Sequence, residues 1–265
     1  MSTAIHMSGV RVTYGNAIAL DDVHLDLPMG AVTALIGPNG SGKSTLLGAV
    51  SGLLQPAAGT VTVLGGPPRR LGPRLAYVPQ QTESNRLLPV TVREVVTMAR
   101  YAHRRGLRWL TRQDREAVDR AMTRMEVDHL ADRHLSTLSG GQRQRVLVAQ
   151  GLAQDAEVLL LDEPVTGLDL PSQQLILQAI NVEKSAGRTI LLTTHDLADA
   201  QRADHVVLLA GHVVAAGTPA EVLVPDVLRE GYGGRLVDLD GGTLLEDVHG
   251  HHGHVHRYGD HDHQH

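Results

Sequence analysis

A glycine-rich loop directly after an apolar run constrains this chain more than any other feature. The run Ala31 to Ile36 has the length and composition of a buried strand. The loop after it consists of Gly37, Pro38, Asn39, Gly40, Ser41, Gly42, Lys43, Ser44 and Thr45. In this spacing, glycines let backbone N–H groups converge on phosphate oxygens, and the following helix points its positive dipole end at the same anion. We therefore expect a phosphate-binding loop, with Lys43 on the β- and γ-phosphates and the Ser44 hydroxyl on Mg²⁺.

Two further motifs follow the loop in order. Residues Leu138 to Gln142 read LSGGQ, and Val158 to Pro164 read VLLLDEP, an apolar strand pattern that ends in Asp162 and Glu163. A phosphate loop alone indicates only that a nucleoside triphosphate is bound, because kinases, GTPases and many ATPases share it. The three motifs in this order resemble those of the ATP-binding subunit of an ABC transporter.

The resemblance implies an α/β fold. It would have a P-loop NTPase core of the ABC ATPase type, an antiparallel β subdomain and an inserted helical subdomain. A capping box at Thr91 to Glu94 and a helical pattern from Asp114 to Met125 interrupt the strand patterns. We expect core residues 1–80 with the phosphate loop, a helical subdomain at 81–153 with LSGGQ, and the rest of the core at 154–247. Residues 248–265 lack apolar periodicity and are expected to form a disordered, His-rich tail.

Composition narrows the class of protein. The hydrophobic fraction of 42% includes no Phe, so the core is expected to be aliphatic, and the absence of Cys excludes disulfides and thiolate chemistry. A net charge of −5 argues against a general nucleic-acid binder. No apolar run approaches the roughly 18 to 20 residues that cross a bilayer, and the first residues do not resemble a signal peptide. Any membrane role is therefore expected to come through a partner.

The resemblance assigns the two carboxylates different roles in ATP hydrolysis. Asp162 would hold Mg²⁺ through its coordination shell, and Glu163 would be the general base or orient the attacking water. Successive strand side chains alternate in direction, so we expect the two groups to point apart. Tyr14 would stack on adenine, although it could instead pack locally in its strand.

Two residues after other strand patterns complete the implied catalytic set. Gln80 matches the family glutamine that contacts the metal and water at the join between core and helices; Gln81 directly follows, but Val78-Pro79-Gln80 favours Gln80. His195 follows the apolar run Thr189 to Thr193 and matches the histidine that contacts the γ-phosphate.

The resemblance also places part of each site on a second copy of the chain. Ser139, Gly140, Gly141 and Gln142 would complete the partner's site, so that a homodimer holds two ATP molecules between head-to-tail subunits. Asp169 would lie in the loop that communicates across this dimer, or it could simply cap a helix. The dimer would act at the cytoplasmic face of the membrane on integral-membrane permease subunits, and through them with an extracytoplasmic substrate-binding protein.

The inference about the transported substrate rests on a shorter stretch of sequence. Residues Thr91 to Tyr101 and the basic run through Arg108 and Trp109 resemble the ATPases of zinc and manganese importers. Another transported substrate is the alternative, with the tail as a metal-binding appendage only. The basic residues around Trp109 form either a patch that faces the membrane or a partner, or a solvated turn between helices.

Eight of the 16 histidines lie in the tail, among Gly, Val, Arg, Tyr and Asp residues. They are His249, His251, His252, His254, His256, His261, His263 and His265. Imidazole clusters with interspersed carboxylates suit Zn²⁺, Ni²⁺ or Cu²⁺ better than Mn²⁺ or Mg²⁺, which prefer oxygen ligands. A purification tag and a neutral tail are the alternatives, and the interruptions argue against a tag. Our hypothesis is that the tail buffers or senses zinc.

The sequence disfavours two other classes of protein. ABC ATPases of chromosome maintenance or DNA repair insert a long coiled coil between the phosphate loop and LSGGQ, and this chain has neither the length nor the heptads for one. A metal-binding protein with a decayed nucleotide site is disfavoured because Lys43, Asp162, Glu163 and His195 are all present.

Overall fold

The computed structural model describes residues 2–80, 89–102, 109–233, 236–239 and 242–245. The strands are β1 (Thr3–Tyr14), β2 (Ala17–Pro28), β3 (Val32–Ile36), β4 (Ala58–Val63), β5 (Leu75–Val78), β6 (Val158–Leu161), β7 (Thr189–Thr193), β8 (His205–Leu209), β9 (Val213–Gly217), β10 (Leu236–Leu239) and β11 (Gly242–Leu245). The helices are α1 (Lys43–Ser51), α2 (Val92–Tyr101), α3 (Arg112–Arg124), α4 (Gly140–Ala153), α5 (Leu170–Ser185), α6 (Leu197–Gln201), α7 (Pro219–Val222) and α8 (Pro225–Tyr232). Short 3₁₀ turns lie at Pro68–Arg70, Gly72–Arg74, Asp128–Leu130 and Leu135–Thr137.

A six-stranded sheet in the order β5-β6-β7-β3-β8-β9 forms the centre of the fold. The first five strands are parallel, and β9 pairs antiparallel with β8 at the edge. The carboxyl ends of parallel strands meet at one edge, where ligands bind in sheets of this kind. The segments after β3, β5, β6 and β7 therefore converge there.

Both faces of this sheet are buried, which explains the continuous apolar runs of its strands. Successive side chains point to opposite faces. In β3, Ala34 and Ile36 pack in the core that includes Leu161 and Leu192, whereas Leu35 packs in a second core with Leu160. Leu, Val, Ile, Ala and Met fill both cores, with Tyr232 as the buried aromatic side chain among the described residues.

A second sheet, in the order β2-β1-β4, is antiparallel throughout. The sequence predicts short strands before residue 36, with turns at Gly15-Asn16 and at Pro28 to Gly30. The structure has turns at both places, and the strands that they bound, β1 and β2, are each 12 residues long. Register shifts in their pairing interrupt the regular alternation, and this made two long strands look like shorter ones. The turn between them brings Tyr14 opposite Ala17.

Three helices, α2, α3 and α4, follow β5 and precede β6 along the chain, and they pack against one another. Each begins with a capping box, and the predicted box of Thr91 and Glu94 opens α2. α4 also contacts β5 and α5 and so joins the helices to the core. The predicted fold class is confirmed, while the boundaries at 80, 153 and 247 stay predictions. Across the described residues, no helix combines the length and apolar character needed to cross a membrane.

The sequence patterns did not predict the elements after β9. Helices α7 and α8 have only four and eight residues, too short for a clear apolar period. The tail from 248 to 265 and the residue Gln81 lie outside the described residues, as does Arg108.

Candidate functional site

A cleft of about 450 Å³ lies where the loops after β3, β5 and β6 meet the turn between β1 and β2. Its lining consists of Tyr14, Ala19, Asn39, Gly40, Ser41, Gly42, Lys43, Ser44, Thr45, Gln80 and Glu163. Ten of these eleven residues, all except Ala19, are among those that the sequence predicted to bind the nucleotide, its metal or the attacking water. The tertiary structure thus gathers most of the predicted nucleotide residues into one cleft.

Lys43 places a positive charge inside this cleft. It is the first residue of α1 and is buried, and its ammonium donates to the backbone carbonyls of Gly37 (2.7 Å) and Pro38 (3.1 Å). Burial lowers the pKa of Lys43, and the carboxylates of Glu163 and Asp162 act in the opposite direction. The loop therefore holds a cation beside two acids.

The N-terminus of α1 opens without a side-chain cap. Gly42 stands at the N-cap with φ 96° and offers no capping group. The first N–H groups of a helix have no intrahelical partner, and the buried Ser41 Oγ also has no hydrogen-bond partner in the described structure. A phosphate group is a ligand that would satisfy these donors, so the residues present fit a bound triphosphate.

Gly37 shows why the loop needs glycine. Its φ is 149°, and an added Cβ would lie 2.1 Å from the carbonyl oxygen of Leu209 at the end of β8. No side chain fits at that distance. The loop can therefore pass against β8 only with glycine at this position.

The two carboxylates after β6 lie in different environments. Asp162 is buried: its Oδ1 accepts from Thr193 Oγ1 at 2.6 Å, and its Oδ2 lies 3.4 Å from the Tyr77 hydroxyl. Burial and Asp162 together raise the pKa of Tyr77 to about 12, so that this hydroxyl stays protonated at neutral pH. Asp162 does not line the cleft, whereas Glu163 does.

The reason for this divergence differs from the expected one. Strand β6 ends at Leu161, so both acids lie beyond it and strand alternation does not apply. Glu163 instead has φ 48°, in the left-handed region that residues with a side chain rarely adopt. This turn of the backbone directs Glu163 away from Asp162.

Gln80 connects the loop after β5 with Glu163. Its Nε2 donates to Glu163 Oε2 at 2.9 Å across 83 residues of sequence. This bond uses the side-chain nitrogen of Gln80 and leaves its side-chain oxygen free to bind a metal. That oxygen and the Ser44 hydroxyl are the kind of ligand that Mg²⁺ prefers. Both residues line the cleft, so its oxygen donors fit that metal.

Tyr14 lies at the other end of the cleft. Its hydroxyl is 3.4 Å from Thr45 Oγ1, and 54% of the residue is exposed. A ring held at its hydroxyl end and open to solvent offers a face for stacking. Ala19, which the sequence did not single out, adds a small side chain to the lining.

The LSGGQ residues lie apart from this cleft. Ser139 caps α4: its Oγ accepts from the backbone N–H of Gln142 at 3.2 Å, and the side-chain Oε1 of Gln142 accepts from the Ser139 backbone N–H at 3.1 Å. Gly140 and Gly141 follow the cap, and none of the four lines the cleft.

Asp169 lies next to this segment. An added Cβ at Gly141 would be 3.1 Å from Asp169 Oδ1. Asp169 occupies the N-cap position of α5, yet its side chain accepts no capping hydrogen bond there. The helix-capping interpretation is therefore not supported, and the carboxylate lies beside LSGGQ.

His195 follows β7 and is exposed, outside the cleft lining. Its neighbour Asp196 caps α6 by accepting from the Ala198 N–H at 2.7 Å. The histidines of the tail lie outside the described residues. Within the part of the chain that the structure covers, no group of three or more His, Cys, Asp or Glu side chains could hold a metal ion.

Sequence reasoning missed two residues beside the acids, Thr193 and Tyr77. Each carries a hydroxyl in a short strand whose side chains are mostly apolar. Such a hydroxyl needs a buried partner, and this signal could have drawn attention to both.

The parallel sheet, the glycine loop and the polar cleft define a P-loop nucleotide-binding ATPase. Comparison with known proteins identifies its family. The family described as ABC transporter matches residues 20–166. The chain is 39% identical to the manganese transport system ATP-binding protein MntA of Synechocystis sp., over 87% of this chain and 90% of that protein.

Other relatives carry different transport names. The iron(3+)-hydroxamate import ATP-binding protein FhuC of Bacillus subtilis is 40% identical, over 83% of this chain and 84% of FhuC. The zinc transport system ATP-binding protein TroB of Treponema pallidum is 38% identical, over 93% of each chain. A solved metal-chelate type ABC transporter in an inward-facing conformation matches with a TM-score of 0.75 at 29% identity, over 87% of this chain and 89% of that one.

The chain belongs to the ABC transporter family. It is the ATP-binding subunit of an importer, an ATPase that uses ATP with Mg²⁺ and works with membrane permease components.

Proposed function

We propose that two copies of this chain bind two ATP molecules between them and hydrolyse them to drive import of a divalent metal, zinc or manganese, through a permease. The main support for an ATPase site is that one cleft contains both Lys43 at the uncapped N-terminus of α1 and the hydrogen-bonded pair Gln80 and Glu163. A phosphate-binding group and a carboxylate for water thus face the same space.

Nucleotide binding is assigned to the loop and the hairpin turn. Tyr14 stacks on adenine, the backbone N–H groups of Gly37 and of Asn39 to Thr45 bind the phosphates, and Lys43 neutralises the β- and γ-phosphates. Ser44 and Gln80 would hold Mg²⁺, with Asp162 behind them, and the bound ion would neutralise charge on the triphosphate.

Hydrolysis is assigned to Glu163, which accepts the proton of the attacking water or orients it. The hydrogen bond from Gln80 holds the carboxylate in the cleft. His195 is assigned to the γ-phosphate. It is exposed after β7, at the same edge of the sheet, and closure of the site would bring it to the nucleotide.

The separation of the cleft and LSGGQ supports a homodimer. Ser139, Gly140, Gly141 and Gln142 present the start of α4 to solvent rather than to the chain's own cleft. We assign them, with Asp169, to the nucleotide of the partner subunit. ATP that contacts both subunits only when they are closed favours the closed dimer, and loss of the γ-phosphate releases it.

The metal substrate is supported by two of the three relatives above, whose names specify manganese and zinc. The iron-hydroxamate relative supports the alternative that another substrate is carried. We place the dimer at the cytoplasmic face of the membrane, on permease subunits that receive substrate from an extracytoplasmic binding protein.

Metal uptake by living cells tests the substrate. In cells whose chain carries Glu163→Gln, we expect uptake of zinc or manganese to fall at least about tenfold, because ATP turnover limits transport. Uptake of a ferric hydroxamate should not change. Cells with Glu157→Gln, an exposed glutamate before β6 that pairs with Arg74, are the control. Loss of hydroxamate uptake with normal zinc and manganese uptake would refute the metal substrate.

The tail is proposed to bind Zn²⁺ through its eight histidines. Calorimetric titration should show that the full chain binds zinc at micromolar concentrations or below and that a chain ending at Asp247 binds less. The affinity for manganese should be the same in the full chain and in the chain that ends at Asp247, because Mn²⁺ prefers oxygen ligands. Equal zinc stoichiometry and affinity in the two chains would remove the idea.

A further inference from the structure

Thr193 is the last residue of β7, which lies next to β6, and the two acids directly follow β6. Leu161 of β6 pairs with Leu192, so Thr193 stands beside the point where β6 ends and the acids begin. Thr193 is completely buried. Its side chain does not line the cleft, so it cannot touch a nucleotide bound there directly.

The Thr193 hydroxyl holds both acids at once. It donates its proton to Asp162 Oδ1 at 2.6 Å, and it accepts the backbone N–H of Glu163 at 2.8 Å. A hydroxyl has one proton, so the donor direction is settled by the carboxylate, which can only accept when ionised. One oxygen atom therefore fixes the side chain of Asp162 and the backbone of Glu163.

The backbone at Glu163 needs such support. Its φ of 48° is unfavourable for a residue with a side chain, and conformations of this kind persist only where the surroundings determine them. The bond from the Glu163 N–H to Thr193 is one such determinant, and the bond from Gln80 to the carboxylate is another. Together they point Glu163 into the cleft while Asp162 stays buried.

We propose that Thr193 is a positioning residue for ATP hydrolysis, whose hydroxyl sets the Asp162 carboxylate for the Mg²⁺ shell and the Glu163 turn for the attacking water. This inference rests on the roles proposed above for the two acids. Binding of the triphosphate itself does not depend on Thr193, because Lys43 and the N-terminus of α1 are held by other contacts.

The test compares Thr193→Val, which keeps the shape and removes the hydroxyl, with Thr193→Ser, which keeps the hydroxyl. Thr33→Val is the matched control, because Thr33 is also completely buried in a central strand and its hydroxyl has no partner among the described residues. All are made in the full chain. Steady-state ATPase rates are measured against ATP and against Mg²⁺, alongside ATP binding in EDTA and thermal unfolding.

For Thr193→Val we expect kcat to fall about 10- to 100-fold and the half-saturating Mg²⁺ concentration to rise, as when residues that orient ligating groups are removed. The KM for ATP at saturating Mg²⁺ and ATP binding without metal should stay within about twofold of the original chain, because the phosphate contacts remain. Thr193→Ser should restore most of the rate, and Thr33→Val should change neither kcat nor the Mg²⁺ dependence.

If folded Thr193→Val keeps the kcat and the Mg²⁺ dependence of the original chain and only its Tm is lower, the role of Thr193 is structural and the proposal is overturned. If Thr193→Val fails to fold, Thr193→Ala removes the hydroxyl without placing a methyl group against Asp162, and the same expectations apply. Failure of the underlying function is separate: Glu163→Gln would then keep full turnover, whatever Thr193 does.

Discussion

Glu163→Gln is expected to bind ATP as tightly as the original chain and to lose about 100- to 10,000-fold in turnover, the usual contribution of a general base. The amide keeps the size of the carboxylate but cannot accept the proton of water. Glu163 lies in the cleft, where its Oε2 accepts from Gln80 Nε2 at 2.9 Å, and its exchange leaves the hydrogen bonds of Lys43 to Gly37 and Pro38 in place. Bound ATP should then persist and hold two chains together.

Single-turnover ATPase assays measure the loss, and size-exclusion chromatography with ATP and Mg²⁺ measures the dimer. Glu157→Gln is the matched control, because Glu157 precedes β6 as Glu163 follows it, and its exposed pair with Arg74 contributes little. Undiminished hydrolysis by Glu163→Gln would refute its assigned role. A variant that stays monomeric with saturating ATP, even beside its permease, would refute the shared site.

Lys43→Met is expected to weaken binding of ATP with Mg²⁺ by about 10- to 150-fold. This range corresponds to the loss of one charged hydrogen bond, about 1.5–3 kcal/mol. The methionine keeps most of the length of lysine but carries no charge. Lys43 is buried, and its ammonium contacts Gly37 and Pro38 at the base of the loop. No other lysine lines the cleft among the described residues, so its charge has no substitute there.

Isothermal titration calorimetry with a non-hydrolysable ATP analogue measures this affinity, and thermal unfolding checks that the variant is folded. Lys184→Met is the control, because Lys184 pairs with Asp204 at 2.6 Å on a partly exposed surface away from the cleft. An affinity for the analogue within threefold of the original chain, in folded Lys43→Met, would show that another group binds the phosphates.

Several elements were predicted from local patterns with little error. The strand at Thr189–Thr193 and the helix that opens at the Thr91 capping box match the structure, because their signals lie within a few consecutive residues. The turns that bound β1 and β2 were also predicted, but both strands are longer than expected, and their register shifts depend on a partner strand. Helix α8, which contacts β8 and β9, was missed because its eight residues are fewer than the window over which an apolar period is read with certainty.

The sequence by itself determined the phosphate loop, because its glycines, lysine and serine lie within a few consecutive residues. Their spacing sets the backbone conformation of the loop, whichever strand and helix flank it. Only the tertiary structure decided which other residues reach that loop. Parallel pairing brought Gln80 to Glu163 across 83 residues and placed the Thr193 hydroxyl between the two acids. These contacts arise because the carboxyl ends of neighbouring strands meet at one edge, and no pattern along the chain encodes that distance.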